Sequence, residues 1–549
     1  MTTWESTSVK FFYLDDEAQR SEFEKHLAPL PLAQYLFQEL TNPARGRFQA
    51  RFAIVETNHT DRDFNIAYAR FYARSFRNYG RSVFRAHFFS ERVGPDDISN
   101  EERLQALYLG YLTLYPGPIR RVGRSVLRPV TTTGHTAFVL CQGRYTVNLL
   151  GARLEVEGVP FIEQDGRVAA CASAAIWTAS RAIPKVELMG ENLYGDEGLR
   201  TVSLAEITDL ATRYTLGRYG DPLLSPGLTV EQILLALRDV GYSPIAYGAE
   251  SLEEEEEEEE EDSVSRARRL VYCYVESQIS PILVLLLPKL GGLHAITVVG
   301  HTYNPSGSLP KAPGPSIGSD HWCPTFLFHD DQHGPYLEFQ FRDPAPASEG
   351  MPTVAVQVSD LARKAFDYPD EGIDKFFEDA TLQYIIIPMP PRIFLLAEDA
   401  ECKGKILLQE AHIQHHVGLP ATPIYRTYLT RSNALKRRFF AGNIVGLSPK
   451  LAQLYGALRM SRFVWVVEMC QMGDSDSEGA PHLEVVAEAV LDATSGPGEL
   501  DFIGLHIPKM FMSMPEPGTS ASGAIRKPVP IEDDSAYQVL ARPAAPKGS

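Results

Sequence analysis

The first quarter of the chain changes between two periodicities of apolar residues. Runs 51–56, 82–89 and 107–115 are rich in β-branched and aromatic residues and predict strands. Between the first two runs, apolar residues recur near every 3.6 positions over 60–78, which predicts a helix. We therefore expect a βαβ-like unit within an N-terminal accessory α/β domain at residues 1–144.

The central residues place strands and helices in a different order. Two strand-like runs come first, and three predicted helices follow them. The first helix is predicted at 171–182, and the other two begin at capping boxes that Ser203 and Thr229 open. The strand-like runs before and after these helices are 145–150, 154–160, 281–287, the run that His294 opens, and 325–329. This order indicates a second domain at residues 145–345.

The last third of the chain carries its own strands and helices. Ser448 and Pro449 are typical of the N-cap and first position of a helix, which we predict to run to residue 458. We expect a C-terminal accessory domain at residues 346–513, of the α/β or the α+β class. Residues 514–549 are rich in Pro, Gly, Ser and Ala and predict a disordered tail. The predicted strands of this domain are 381–387, 463–469, 485–491 and 502–507.

Charge is concentrated in one segment. The formal net charge is −18, and nine consecutive Glu at 253–261 followed by Asp262 contribute much of it. Such a run has no apolar face, so we predict a solvated acidic insertion at 251–262. The remaining chain is mildly acidic, which argues against a nucleic-acid partner. A short basic patch is formed by Arg426, Arg431, Lys436, Arg437 and Arg438. A protein partner that docks on the acidic run or on the basic patch is a further expectation.

The cysteines and apolar runs indicate the compartment. Six cysteines, at 141, 171, 273, 323, 402 and 470, have no paired spacing, which argues against a zinc ribbon or a disulfide scaffold. The first residues lack the basic and apolar regions of a signal peptide. The most apolar runs, 282–287 and 384–387, are far too short to cross a membrane. We expect a cytoplasmic protein without membrane attachment.

The candidate chemistry begins at Cys171, which opens the first central helix. The positive end of a helix dipole favours the thiolate form of a cysteine, which is the nucleophilic form. Gln164 stands seven residues before Cys171. The backbone N–H of Cys171 and the side chain of Gln164 can then donate to the same oxyanion. These two residues form the first half of a cysteine-hydrolase site.

A base and an orienting acid follow on predicted strands. His294 opens a β-branched run, so that a sheet holds it while its ring reaches the end of the strand. The strand at 325–329 ends in Asp330 and Asp331. A carboxylate at that place accepts a hydrogen bond from an imidazole and fixes its tautomer. We expect Asp330 in this role, with Asp331 as the alternative.

The chain order Gln164, Cys171, His294, Asp330 resembles that of the papain-like cysteine peptidases. Within that fold it is closest to a bacterial branch that includes the double-glycine-leader, or bacteriocin-processing, peptidases. The resemblance covers about residues 145–345. It implies an α+β fold in which a helical lobe packs against an antiparallel sheet. The implied roles are nucleophile for Cys171, general base and then acid for His294, orienting carboxylate for Asp330 and oxyanion donor for Gln164.

The same resemblance implies a reaction that needs no metal or organic cofactor and a peptide or protein substrate. The chain departs from the family pattern in three ways: Ala172 follows the cysteine where Gly is common, Asp330 is followed by Asp331 rather than Pro, and the acidic run and the loop 304–320 are insertions over the expected cleft. Two alternatives stay open. The same triad can catalyse deamidation or acyl transfer to an amine, and a papain-like fold that has lost activity can serve as an interaction protein.

Overall fold

The computed structural model divides the chain into two compact units. The first unit comprises Met1–Ala267, Gln278–Thr302 and Thr325–Pro390, and the second comprises Arg268–Ser277, Tyr303–Pro324 and Pro391–Ser549. The structure describes residues 8–27, 30–42, 47–70, 72–74, 76, 78–116, 121–129, 136–164, 171–182, 202–213, 227–252, 262–289, 291–303, 316–323, 325–343, 351–357, 373–440, 444, 446–472, 483–496, 501–514, 528–531 and 537–539.

The first unit begins with an antiparallel sheet in the order β1-β2-β3-β4-β5, with β6 also paired to β4. Its strands are β1 (Val9–Tyr13), β2 (Phe52–His59), β3 (Val83–Phe89), β4 (Tyr108–Tyr115), β5 (Arg121–Val122) and β6 (Val126–Leu127). The accompanying helices are α1 (Glu17–Lys25), α2 (Pro31–Thr41), α3 (Arg62–Arg70), α4 (Pro95–Ile98) and α5 (Glu101–Leu107). Because β2 and β3 pair antiparallel, the predicted βαβ-like unit is wrong: α3 lies between two antiparallel strands rather than in a parallel crossover.

A hairpin and three helices follow in the same unit. The hairpin consists of β8 (Gly143–Leu149) and β9 (Ala152–Gly158), and the helices are α6 (Cys171–Ala182), α7 (Leu204–Thr212) and α8 (Val230–Val240). Both predicted capping boxes are present: Ser203 exchanges hydrogen bonds with Glu206, and Thr229 exchanges them with Gln232. The apolar faces of the three helices share one buried core, which includes Trp177, Ile207 and Leu237.

The remaining strands of the first unit close an antiparallel barrel. β17 pairs with β11 along one edge and with both β10 and β16 along the other, so that β11, β12, β14, β15, β16 and β17 form a closed ring. β7 pairs with β12 outside this ring. The strands are β7 (Thr136–Phe138), β10 (Ile245–Gly248), β11 (Ile282–Leu287), β12 (Gly292–Tyr303), β14 (Phe326–Asp330), β15 (Gly334–Arg342), β16 (Thr353–Gln357) and β17 (Ala380–Ile387).

The compact units do not follow the predicted domain boundaries. The N-terminal sheet shares a hydrophobic core with Val299, Leu327 and Tyr336, so the boundary at 144/145 does not separate two units. The predicted boundary at 345/346 also does not separate two units, because β16 and β17, which follow it, complete the barrel that begins before it. Long-range strand pairing, which local sequence patterns do not specify, joins these segments.

The second unit is built on a sheet in the order β13-β18-β19-β20-β21-β22-β23, with β24 paired to β20. Among the described strands of this unit, all pairings except the parallel β13–β18 are antiparallel, so of the two expected classes the unit is α+β. Its strands are β13 (Ile317–Gly318), β18 (Ile424–Arg431), β19 (Phe463–Met472), β20 (Leu483–Asp492), β21 (Phe502–Ile507), β22 (Met510–Ser513), β23 (Val529–Pro530) and β24 (Tyr537–Val539). Among the described residues, the other helices are α9 (Ser263–Glu276), α10 (Ile373–Phe376), α11 (Ala397–Gln414), α12 (Ser432–Phe440) and α13 (Pro449–Ala457).

Two predictions for the second unit are corrected. The predicted disordered tail at 514–549 contains two strands, because β23 pairs with β22 and β24 pairs with the start of β20. The predicted basic patch is not a continuous surface. Arg426 and Arg438 turn inward and pair with Glu468, whose side chain is fully buried. The acidic run 253–261 lies outside the described residues.

Within the described ranges, no helix has the length and apolar character that crossing a membrane requires.

Candidate functional site

Two neighbouring strands of the barrel bring His294 and Asp330 together. β12 and β14 pair antiparallel with Thr297 opposite His329, so the start of β12 lies beside the end of β14. His294 is the third residue of β12 and Asp330 is the last residue of β14. The Nε2 atom of His294 lies 2.5 Å from Oδ2 of Asp330, and both side chains are buried. A hydrogen bond between an imidazolium and a carboxylate is charge-assisted and belongs to the strong class.

The second oxygen of Asp330 is held by the turn that follows it. Oδ1 accepts hydrogen bonds from the backbone N–H of Gln332 at 2.8 Å and of His333 at 2.9 Å. The ring atom Nδ1 of His333 lies 3.0 Å from the same oxygen. Burial by itself raises the pKa of Asp330, but the charges of His294 and His333 outweigh it and hold this pKa well below its usual range. Asp330 is therefore ionised at neutral pH.

Asp331 has a different environment. Its Oδ1 lies 4.0 Å from Nε2 of His294, beyond hydrogen-bond distance. Both carboxyl oxygens are buried and have no hydrogen-bond partner among the described residues. Burial and the neighbouring charge of Asp330 raise the pKa of Asp331. Of the two candidates, Asp330 is thus the hydrogen-bond partner of the imidazole, and Asp331 is an uncharged neighbour at neutral pH.

Cys171 approaches the same imidazole from the helix α6. It is the first residue of this helix, as predicted, and its side chain is half-buried. A hydrogen bond from Oγ1 of Thr297 to the carbonyl oxygen of Ala175, at 3.1 Å, ties α6 to β12. The thiol packs in a core cluster that also contains Ala295, the residue next to His294. The helix α6 and the strand β12 are therefore joined by a hydrogen bond four residues after Cys171 and three residues after His294.

The electrostatics of His294 reflect these neighbours. Burial alone lowers the pKa of His294, but the charge of Asp330, the hydrogen bond to it and the interaction with the Cys171 side chain raise it well above its usual value. Since Asp330 occupies Nε2, the nitrogen that remains for the thiol is Nδ1. This arrangement places an imidazolium, with the carboxylate behind it, beside the thiol of Cys171.

An aromatic pair covers the imidazole. The ring centre of Phe376 lies 5.4 Å from that of His294 in an edge-to-face arrangement, and the ring centre of Phe377 lies 6.0 Å away. Phe376 also contacts His333, with the ring centres 4.5 Å apart. These rings exclude water from the hydrogen bonds of Asp330, which strengthens them.

Gln164 is half-buried at the end of a well-anchored segment. Phe161 forms an antiparallel bridge with Ser125, and the backbone of Glu163 bonds to that of Val122. The residues between Gln164 and Cys171, 165–170, lie outside the described part of the chain. The role of Gln164 as an oxyanion donor stays a prediction.

The donor atoms of His294, Asp330 and Asp331 lie within 4.8 Å of one another, close enough to consider a metal ion. However, two ligands of one tetrahedral zinc ion are about 3.3 Å apart. The 2.5 Å between Nε2 of His294 and Oδ2 of Asp330 is shorter than that and fits a direct hydrogen bond. The geometry therefore favours proton chemistry at this site.

From the sequence, His333 is grouped with His321 and His329 around the two Asp residues but receives no role in the triad, and Phe376 is not identified at all. The sequence does carry a signal for His333. In many turns the side chain of an Asp accepts hydrogen bonds from residues two and three positions after it, and Gln332 and His333 stand at these positions after Asp330. Phe376 lies 82 residues after His294 in the sequence, and its contact depends on the closure of the barrel.

Comparison with known proteins gives no relative of this chain: no family model matches it, and no curated protein and no solved structure matches it either.

Proposed function

We propose that this protein is a papain-like cysteine hydrolase that cleaves an amide or peptide bond. The single observation that carries the proposal is the imidazole of His294, which is bonded to a buried carboxylate at 2.5 Å and interacts with a thiol at a helix N-terminus. Nucleophile, base and orienting acid in mutual reach are what covalent catalysis by cysteine requires. The helices α6 to α8 beside an antiparallel barrel agree with the lobes of a papain-like fold.

The reaction would begin with the attack of the Cys171 thiolate on the carbonyl carbon of the substrate. A C–S bond forms, the π electrons move to the carbonyl oxygen, and the backbone N–H of Cys171 and the side chain of Gln164 donate to the oxyanion. As the C–N bond breaks, His294 transfers its proton to the departing amine. Neutral His294 then takes a proton from water, whose oxygen attacks the thioester and releases the acid and the thiolate.

Asp330 acts on this cycle through His294. Its carboxylate stabilises the imidazolium and holds the ring so that Nδ1 faces the thiol. Asp331 does not share this task, since it lies beyond hydrogen-bond distance of Nε2. The substrate is then a peptide or protein amide, and no metal or organic cofactor takes part. All six cysteines are free, which agrees with a cytoplasmic location.

A thiol-directed activity probe tests the proposal, because Cys402 offers a matched control. Cys402 is the exposed cysteine, whereas Cys141, Cys273, Cys323 and Cys470 are buried. We expect a peptidyl acyloxymethyl ketone to label the wild type and the Cys402→Ala variant equally and to leave Cys171→Ala unlabelled. Labelling that survives Cys171→Ala and disappears in Cys402→Ala would contradict the proposal.

A further inference from the structure

His333 occupies a position in the site that the four predicted residues do not explain. It is the third residue after Asp330, in the turn between β14 and β15. Its side chain is only 8% exposed. Its ring atom Nδ1 lies 3.0 Å from Oδ1 of Asp330, on the side of the carboxylate opposite His294. The carboxylate is thus bound between two imidazoles.

The turn does not need this imidazole for its shape. The backbone N–H groups of Gln332 and His333 already donate to Oδ1 of Asp330 at 2.8 and 2.9 Å, and Asp330 pairs with Gly334 across the hairpin. The ring adds a third donor to an oxygen that the backbone has already capped. A side chain that serves only the turn would be free to face solvent, whereas this one is buried.

Phe376 holds the ring of His333 in place. The two ring centres are 4.5 Å apart, and the same phenyl ring contacts His294 at 5.4 Å. One aromatic side chain therefore packs against both imidazoles that bind Asp330. Its packing restrains the rotation of both rings, and through them the rotation of the carboxylate between them.

We propose that His333 is a positioning residue that locks the carboxylate of Asp330 in the orientation that directs Oδ2 at His294. This inference rests on the proposed function. With Oδ1 held by three donors, Oδ2 is the oxygen that faces Nε2 of His294. In this role His333 acts on the reaction through Asp330, and the contact that carries the role is the one between Nδ1 and Oδ1. Among the described residues, the charged or titratable groups near this contact include Asp330, His294 and Asp331, and also Glu163, whose charge acts on Asp331.

The rate of Cys171 carboxymethylation by iodoacetate as a function of pH provides the test. This anion reacts fastest with a thiolate that has an imidazolium beside it, so its rate falls as pH rises through the pKa of His294. If His333 positions Asp330, its removal loosens the carboxylate and weakens its hold on the imidazolium proton. The alkaline limb of the profile in His333→Ala should then move to lower pH by roughly 0.5 to 1 unit.

Two further variants distinguish a positioning role of His333 from an effect of the size or the charge of its side chain. His333→Asn places an amide donor near the position of Nδ1 and should restore the wild-type profile. His333→Gln keeps a large side chain but displaces its hydrogen-bond donor, so its pH profile should match that of His333→Ala. If His333→Ala does not fold, His333→Gln takes its place in the test. The rate at Cys402 in the same samples serves as the internal reference and should not change.

The outcomes distinguish this inference from the proposed function. A wild type that shows no fall in the Cys171 rate at alkaline pH overturns the proposed function and the role of His333 with it. A wild type that shows the fall, together with an unchanged or upward-shifted limb in His333→Ala and His333→Gln, overturns the positioning role alone. An upward shift is what the loss of a bystander positive charge would give.

Discussion

Oγ1 of Thr297 on β12 donates a hydrogen bond to the carbonyl oxygen of Ala175 on α6 at 3.1 Å, and both residues are buried. This bond joins the helix that begins at Cys171 to the strand that carries His294. Cys171 and His294 are 123 positions apart in the sequence, so the placement of their side chains relative to each other depends on contacts such as this hydrogen bond.

Thr297→Val removes this hydrogen bond while keeping the shape of the side chain. We expect a loss of about 1 kcal/mol in the free energy of unfolding, because one buried hydrogen bond is lost. The rate of Cys171 labelling should fall as well, since the thiol is less well placed against His294. Thr353→Val, which removes a hydroxyl that bonds to the carbonyl of Asp343 at 3.0 Å, is the control. Equal labelling rates in the two variants would contradict a role for Thr297 in aligning the site.

Asp330→Asn and Asp331→Asn should have different effects on the pH profile of carboxymethylation. The negative charge of Asp330 raises the pKa of His294, so its removal lowers that pKa and moves the alkaline limb to lower pH. Asp331 lies 4.0 Å from Nε2 of His294, beyond hydrogen-bond distance, so Asp331→Asn should shift the limb far less. A larger shift in Asp331→Asn than in Asp330→Asn would assign the orienting role to Asp331 instead.

Glu163 should make the first unit less stable as pH rises. Burial raises the pKa of Glu163 from 4.5 to about 7, although its hydrogen bond to the backbone N–H of Val122 opposes the change. Between these two pH values the unfolded chain loses this proton and the folded chain keeps it, so the free energy of unfolding falls with pH, by at most about 3 kcal/mol. Glu163→Gln should remove this part of the slope, whereas Asp331, whose pKa is also raised, keeps its own part.

Urea titrations at pH 5 and pH 7.5, followed by hydrogen exchange of peptides from β12, measure the effect of Glu163. The control is Glu102→Gln, which changes an exposed carboxylate in α5. It should keep the wild-type difference between the two pH values. If Glu163→Gln keeps that difference too, the protonated carboxyl is not its source.

Arg426→Met should destabilise the second unit. Nε of Arg426 donates to Glu276 at 3.0 Å and Nη1 donates to Glu468 at 2.8 Å, and both carboxylates are buried. The substitution leaves them without this cation, which typically costs about 3–5 kcal/mol. Arg437→Met, at an exposed position of α12, should cost no more than about 0.5 kcal/mol. Urea titration followed by hydrogen exchange of β19 peptides measures both, and similar costs would contradict the ion-pair account.

Local patterns predicted the elements that carry the site. The helix at 171–182 and the two capping boxes are found as predicted, because helix propensity and caps act within a few residues. The sequence also located His294 and Asp330 on strands. It left Asp330 and Asp331 as alternatives, because the choice between adjacent residues depends on the bulge between β14 and β15 and on the turn that follows.

The features that depend on distant pairing were not predicted. Strands β16 and β17 return to the barrel after a predicted domain boundary, and β2 and β3 pair antiparallel although a helix lies between them. Arg426 was assigned to a surface patch, because the local sequence does not show that two buried carboxylates come from residues 150 and 42 positions away. Each of these features is fixed by contacts between segments far apart in the chain.

The central claim is that Cys171 is an activated nucleophile. Its most direct test is to let the native wild type react with iodoacetate at neutral pH and to compare the reaction rates of the six cysteines by peptide mass spectrometry. Exposure alone favours Cys402 over the half-buried Cys171. A thiolate paired with His294 reverses this order, and we expect Cys171 to react first, about ten times faster than Cys402 or more. If Cys402 reacts first and Cys171 reacts no faster than an ordinary half-buried thiol, Cys171 is not the activated nucleophile of this site.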